Sequence, residues 1–523
     1  MAGGPVAVTR HLPGLAVAAL ILALGLGTLA AVLWRGLAEG AGAALGPADL
    51  QAIRFTLWQA ILSATLSAGL AIPVARAFAR RRFPGRAALI LLTGAPFILP
   101  VIVAVLGLLA VFGRGGLVNG ALVWAGLPPV SIYGLQGVVL AHVFFNLPLA
   151  VRLILQGWGA IPAERFRLAE SLGFGPAEVA RHLERPMLRA VLPGVWVAIF
   201  VICLSSFAVA LTLGGGPRAT TVELAIYQAF RFDFDLGRAA LLAGVQIALC
   251  LGAAALAAGV ARPAGFGAGM DRPLPAPGGG VWLRLQDALA IGAAALFLLL
   301  PLALVALSGL PGLTQLGPAA LAAAGRSLAL ALASTALCLA LALPLADAAA
   351  RSPFGRWFEA VGLIPLATSS LVLGTGLFLI LRGQVAPAQA ALPVTMLVNA
   401  VMALPFALRA VLPPLRDVQA DYGRLAAALD LRGAARWRLL VLPRLRAPIG
   451  FSAGLAAALS AGDLGVITLF ADGRSETLPL HLYRLMGAYR MEAAMGAALL
   501  LTALSLGLFW IFDRGGRHGA ATR

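Results

Sequence analysis

Few residues in this chain could do chemistry, and their spacing rules most of it out. Cys203, Cys250 and Cys338 each stand alone inside an apolar run, with no CxxC pair. That spacing gives neither a disulfide framework nor a zinc site, and it suits cysteines that pack as small hydrophobes. His142 has no second His or Cys at metal-ligand spacing, so it reads as a packed, hydrogen-bonded side chain and no metal is expected. All 39 basic residues are Arg and none is Lys. Without lysine there is no Walker A motif and no Schiff base, so any ATP hydrolysis must belong to a partner. No Ser/His/Asp constellation and no paired acids on one face mark a catalytic centre, and neither a catalytic residue nor a cofactor is expected. One acid stands out. Asp463, in Ser460-Ala461-Gly462-Asp463-Leu464-Gly465, lies within an apolar run, where a carboxylate costs about 2.5–3.5 kcal/mol at the bilayer centre. Such a residue either lines a polar pathway or makes a structural hydrogen bond beside a glycine-broken helix.

Arginine and proline spacing reveals a duplication. Shifted by 257 positions, the segment 147–190 falls on 404–447 without a gap. Leu147-Pro148 meets Leu404-Pro405, Arg152 meets Arg409, and Arg167-Leu168-Ala169 meets Arg424-Leu425-Ala426. Leu172 meets Leu429, and Pro186, Leu188, Arg189 and Ala190 meet Pro443, Leu445, Arg446 and Ala447. Leu and Ala matches are cheap in so biased a sequence, but prolines and arginines kept in one register are not. With slightly different shifts Pro73 pairs with Pro344, Gly85-Arg86 with Gly355-Arg356, and Pro96 and Gly107 with Pro365 and Gly376. On the position of Asp463 the first copy has Ser206, beside Ser205, so a pathway built from these segments is asymmetric.

The elements that must hold these residues are membrane helices. Of 523 residues, 61% are hydrophobic and 11% charged, against about 25% charged in soluble domains. A helix crosses the hydrocarbon core with about 20 mostly apolar residues. On that rule the first copy holds spans at roughly 13–34, 55–79, 88–113, 132–155, 191–213 and 238–261. The second holds them at roughly 286–309, 327–350, 358–382, 388–412, 449–470 and 493–513. The runs lack the alternation of barrel strands, and an open sheet cannot satisfy its backbone in lipid. The run from Pro13 to Trp34 is too long for a signal-peptide core and is expected to be retained as the first span. The expected organisation is a first half 1–261, a Pro/Gly-rich cytoplasmic linker 262–285 and a second half 286–523.

Arginine also sets the orientation. Arg80-Arg81-Arg82-Phe83-Pro84-Gly85-Arg86 follows the second span, and the loops after the fourth and tenth spans are Arg-rich too. With both termini inside, these loops and the tail arginines fall in the cytoplasm. The net charge of +18 therefore marks cytoplasmic loops rather than a nucleic-acid surface, and no nucleic-acid partner is expected. Six spans per copy make the repeats parallel, related by an axis along the membrane normal.

The doubled loops, 160–190 and 417–447, carry the functional signal. Residues 162–173 (PAERFRLAESLG) suit a short helix broken by Gly173 and Gly175, and Pro176 opens a second helix. This pattern resembles the EAA loop of ABC-importer permeases, which runs Glu-Ala-Ala, then Gly, then a distant Pro. Here Arg167-Leu168-Ala169, Gly173 and Pro186 fill it in the first copy, and Arg424-Leu425-Ala426, Asp430 and Pro443 in the second. Neither copy has the Glu, and Asp430 replaces the Gly; Asp tolerates a left-handed turn better than most residues. Leu168 and Leu172, with Leu425 and Leu429 in the second copy, would anchor in a partner's groove. RRRFPGR (80–86), YGLQG (133–137), AHVFFNLP (141–148) and LGGGPRATTVELAIYQA (213–229) are similar to the thiamine/thiamine pyrophosphate permease family. The resemblance implies an all-α polytopic fold of two parallel six-helix repeats, the type I (MetI-like) importer architecture, in the bacterial inner membrane. It implies two copies of a separate ABC ATPase at the loops, a periplasmic thiamine-binding protein, and thiamine or its phosphates as cargo. The thiazolium cation would meet Asp463.

Beyond the fifth and eleventh spans, Arg218, Thr221 and Tyr227 pair with Arg474, Thr477 and Tyr483. Each segment leaves a span through glycine and forms a half-polar helix, suited to a periplasmic gate, a docking surface for the binding protein, or interfacial anchoring. Three other readings share features with this one. Fused ferric-iron permeases have the same layout and loop. A twelve-span secondary transporter also has parallel halves, but needs no paired loops. A membrane enzyme would need the catalytic constellations that are missing.

Overall fold

The computed structural model describes residues 12–39, 45–92, 94, 98–260, 280–471 and 475–518. Eleven helices in it are long and apolar enough to cross a bilayer, and a bent pair, Gly355–Leu366 with Ser370–Leu381, makes twelve when counted as one span. No strand occurs among the described residues. Six spans precede residue 261 and six, counting the bent pair once, follow residue 279. The expected linker 262–285 lies outside the described residues except for its last part, where a helix begins at Val281.

The first repeat runs α1 (Leu12–Glu39), α2 (Pro47–Arg80), α3 (Val101–Phe112), α4 (Leu135–Gly159), α5 (Ala163–Ser171), α6 (Arg185–Leu204), α7 (Val222–Arg231) and α8 (Leu236–Val260). The second runs α9 (Val281–Gly312), α10 (Pro318–Arg351), α11 (Gly355–Leu363), α12 (Ser370–Leu381), α13 (Pro387–Ala428), α14 (Leu442–Ala461), α15 (Leu478–Gly487) and α16 (Met491–His518). Large apolar side chains on the outer faces, such as Leu26, Leu70, Leu296 and Leu307, are exposed, as lipid-facing positions require. Trp34, Trp124, Trp282 and Trp510 are exposed near helix ends, where indole rings sit at the membrane–water boundary.

The third span differs from the sequence expectation of 88–113. A short helix, Arg86–Leu92, ends before the membrane is crossed, and the span itself runs Val101–Trp124 across α3 and the helix Leu117–Trp124. Its counterpart is the pair bent by 89°. Pro365 sits just before that bend, where its missing N–H breaks the α-helical ladder and α11 gives way to a tighter turn, Ile364–Ala367. Pro96, its partner in sequence, lies outside the described residues.

The two repeats are interlocked by their first helices. α1 packs on α8 of its own repeat and on α10, α11 and α12 of the other; α9 packs on α16 of its own repeat and on α2 and α3 of the other. The sequence pair Gly107 and Gly376 lies at two of these close crossings. A Cβ at Gly107 would lie 2.8 Å from the Pro301 carbonyl oxygen on α9, and one at Gly376 would lie 2.5 Å from Thr28 Cβ on α1. Only glycine lets the backbones approach so closely, the same small-residue logic that packs membrane helices generally. Arg81 adds a tie at the inner end, 2.6 Å from Asp287 on α9.

Candidate functional site

The doubled loops adopt the same backbone device twice. α5 ends at Ser171 with Leu172 as its cap, after which Gly173 turns left-handed at φ +69. Phe174 N–H donates to the Ala169 carbonyl at 2.9 Å and Gly173 N–H to the Glu170 carbonyl at 3.0 Å. This is a Schellman cap, which satisfies carbonyls that the helix end leaves free. In the second repeat Leu431 N–H donates to Ala426 at 2.8 Å and Asp430 N–H to Ala427 at 3.2 Å. Asp430 holds the left-handed position at φ +46. The substitution of Asp for Gly thus leaves the turn intact.

On both helices the alanine of the motif faces inward and the leucines outward. Ala169 and Ala426 are buried at 4% and 6% exposure. Leu168 and Leu172 are 59% and 61% exposed, and Leu425 and Leu429 are 54% and 61% exposed. Residues four apart stack on one helical face, so each loop offers a pair of uncovered leucines. Arg167 and Arg424 stand exposed beside them.

The loops differ at their entrances. Pro162 starts α5 as a separate nine-residue helix. At the matching position the second repeat has Gln419, and α13 continues through it as one helix of 42 residues. Both loops then leave through a π-helical turn, Ala180–Glu184 and Trp437–Val441, at matching positions. Arg185 N–H reaches back to the Ala180 carbonyl and Leu442 N–H to that of Trp437, the wide five-residue step. The cause is the next residue. Pro186 and Pro443 cannot donate and crowd the carbonyl four residues back, and the widened turn makes room for the ring.

The pathway candidates sit at breaks in the fifth span of each repeat, not within continuous helix. α6 stops at Leu204, Ser205 and Ser206 bridge the gap, and a short helix Phe207–Leu213 follows. α14 stops at Ala461, and Gly462 and Asp463 lead to the turn Ile467–Phe470. His142 of α4 is buried between Ser63 Oγ at 3.2 Å and Ser206 Oγ at 2.5 Å. At the position of His142 the second repeat has Asn399, whose amide donates to Ser460 Oγ at 3.0 Å, not to Asp463. Asp463 Oδ1 accepts from Gly465 N–H at 3.2 Å. Its Oδ2 is buried with no hydrogen-bond partner among the described residues. Gly462 lies against Pro100 at the start of α3, so Asp463 stands where the repeats meet.

The outer segments form helices α7 and α15, each anchored to the second span of its repeat. Val222 N–H donates to Thr56 Oγ1 of α2 at 2.9 Å, and Leu478 N–H to Ser327 Oγ of α10 at 2.8 Å. Tyr227 is buried between Phe207 and Phe232. Burial, with the Tyr227 phenol nearby, pushes the Tyr483 phenol above its ordinary range. Phe230 of α7 meets Phe378 of α12 at 4.4 Å between ring centroids, closing the same boundary. Arg218 is exposed in a turn, and Arg474 lies outside the described residues. Sequence reasoning missed Glu223 on α7, buried at the start of this helix with its Oε1 unpartnered among the described residues. An acid inside LGGGPRATTVELAIYQA was the available signal.

Comparison with known proteins gives whole-length relatives. The chain is 40% identical over 520 residues to the thiamine transport system permease protein ThiP of Salmonella typhimurium, covering 97% of each chain. It is 39% identical to that of Escherichia coli, with 96% of each covered. It is 33% identical to that of Haemophilus influenzae, with 88% of this chain and 87% of the other covered. No protein-family model matches.

Proposed function

The chain belongs to the family of thiamine transport system permeases, and from that premise we propose that it imports thiamine, driven by ATP that a separate ABC ATPase hydrolyses. It is a multi-pass membrane protein and a transport subunit rather than an enzyme. Its two repeats, joined by the segment around 262–285, would each bind one ATPase subunit in the cytoplasm, and a periplasmic binding protein would deliver thiamine on the opposite side.

The observation that carries this reading is the pair of docking helices with matched, uncovered leucines. A partner with two equivalent grooves would cover both at once. A secondary transporter has no use for them. Closing of the two ATPase subunits would draw the loops together and rock the repeats about the boundary between them, a rigid-body route to alternating access. Asp463, at that boundary with a free carboxylate oxygen, is the group placed to meet the thiazolium charge; the uncharged Ser205 and Ser206 line the matching break.

The test is uptake of labelled thiamine in cells lacking their own thiamine import, with the chain and its binding protein expressed with or without the ATPase. Uptake that requires the ATPase supports both class and cargo. Uptake without it sinks the ABC reading, and an assembled, ATP-hydrolysing complex that moves no thiamine sinks the cargo.

A further inference from the structure

Each docking loop is pinned to the second span of its own repeat by a buried ion cluster, and the two clusters have opposite polarity. In the first repeat the span supplies the bases. Arg76 Nε lies 3.0 Å and Arg80 Nη2 2.7 Å from the carboxylate of Glu184, the last residue of the π turn. In the second repeat the span supplies the acid. Asp347 lies 2.8 Å from Arg436, the residue just before the π turn, and 3.3 Å from Arg351 on its own helix. Arg436 also donates to Gln419 at 3.2 Å. Asp347 occupies the position of Arg76, three residues beyond the matched prolines Pro344 and Pro73, and Arg351 that of Arg80. The side chains of Arg80, Glu184 and Arg436 are 6%, 5% and 7% exposed.

The outer ends of the same spans hold the outer helices α7 and α15, through Thr56 to Val222 N–H and Ser327 to Leu478 N–H. From Thr56 to Arg76 and from Ser327 to Asp347 is 20 residues in each case, or about 30 Å of helix, the thickness of the hydrocarbon core. One helix thus touches the docking loop at one end and the outer helix, α7 or α15, at the other, in both repeats.

We propose that α2 and α10 are the rods that carry motion of the docking loops to the outer gate, and that Glu184 and Arg436 are the positioning residues that fasten the loops to them. A buried ion pair adds little net stability over an apolar contact, but neither partner can be left uncovered, so it fixes geometry. The loop cannot slide along the span without stranding a charge. Opposite polarity also prevents mispairing within a duplicated chain: Arg436 would face Arg76, and Glu184 would face Asp347.

This proposal rests on the reading that the loops dock an ATPase, and its test separates the two. The full chain would be reconstituted in vesicles with its ATPase and binding protein, and thiamine uptake and ATP hydrolysis measured on the same vesicles. Uptake by the unsubstituted chain that ignores ATP overturns the functional reading. If that control holds, R436E is expected to lose uptake while hydrolysis persists. D347R/R436E should recover uptake, because it sets two arginines opposite one acid, as Arg76 and Arg80 surround Glu184. Uptake per ATP unchanged in R436E, or no recovery in the double substitution, overturns the proposal. If R436E does not accumulate, E184Q, which keeps the side-chain shape, decides by the same ratio: an unchanged ratio overturns the proposal and a lowered one supports it.

Discussion

Replacing Leu168 and Leu425 by alanine separates docking from folding. Fully burying a leucine contributes about 1.5–3 kcal/mol. Leu168 is 59% and Leu425 54% exposed in the chain alone, so a partner groove that covers the remainder gains about 1–2 kcal/mol from each. Truncation to alanine should then weaken ATPase binding by roughly 5- to 30-fold per site. The folded chain by itself should hardly respond, since exposed substitutions stay within about 0.5 kcal/mol. The assay is ATPase affinity for the permease in nanodiscs, run beside thermal unfolding of the permease alone. The equal exposure of the two leucines predicts equal losses, although one stands on the free helix α5 and the other at the end of α13. Unchanged affinity in L168A/L425A would refute the docking surface and leave two helices that merely anchor at the membrane surface. A loss of affinity matched by an equal loss of stability would refute it as well.

Asp430→Gly should raise the unfolding midpoint, because it relieves about 1 kcal/mol of left-handed strain and loses only an exposed pair with Arg432; an unchanged or lowered midpoint would show that Asp430 is held there by something else. Gly376→Val should lower the yield of folded protein by overpacking the crossing with Thr28, at a cost of about 1–3 kcal/mol or more, read by size-exclusion profile in detergent. Asp463→Asn should fold and unfold at an equal or higher temperature, since it removes a carboxylate charge of which one buried oxygen lacks a partner among the described residues, while thiamine uptake falls. Full uptake in that variant would assign Asp463 a structural role alone.

The spans were legible because lipid as solvent imposes long apolar runs, and the repeat because prolines and arginines are scarce enough to keep their register. The matched leucine pairs of the two loops followed from the same register. What sequence did not disclose depends on long-range packing. Gly107 and Gly376 were visible as a pair, but not that each meets the first helix of the opposite repeat. Glu184 and Arg80 are 104 residues apart, and Arg436 and Asp347 are 89 apart, so no local pattern joins them. The third span was misplaced because apolarity continues through the break before Val101. The difference between Pro162 and Gln419 was readable in principle, since proline pushes the preceding residue out of helix. Asp463 was read inside a span, where the backbone instead breaks at Gly462.

The duplication has preserved backbone geometry more strictly than side-chain chemistry. The Schellman cap survives replacement of Gly173 by Asp430, and the π turn survives change at three of its five positions because Pro186 and Pro443 enforce it. The clamp on the second span survives inversion of its charges. By contrast, the matched polar sites diverge. His142 bridges Ser63 and Ser206 in one repeat, while Asn399 turns to Ser460 in the other and leaves the Asp463 carboxylate half unpaired. On the proposed function the mechanical elements must stay equivalent, because two identical ATPase subunits would push on both repeats together. A pathway for one solute without two-fold symmetry has no such constraint, and a single cation is better met by one acid than by two facing each other across an axis, whose like charges would resist ionising together.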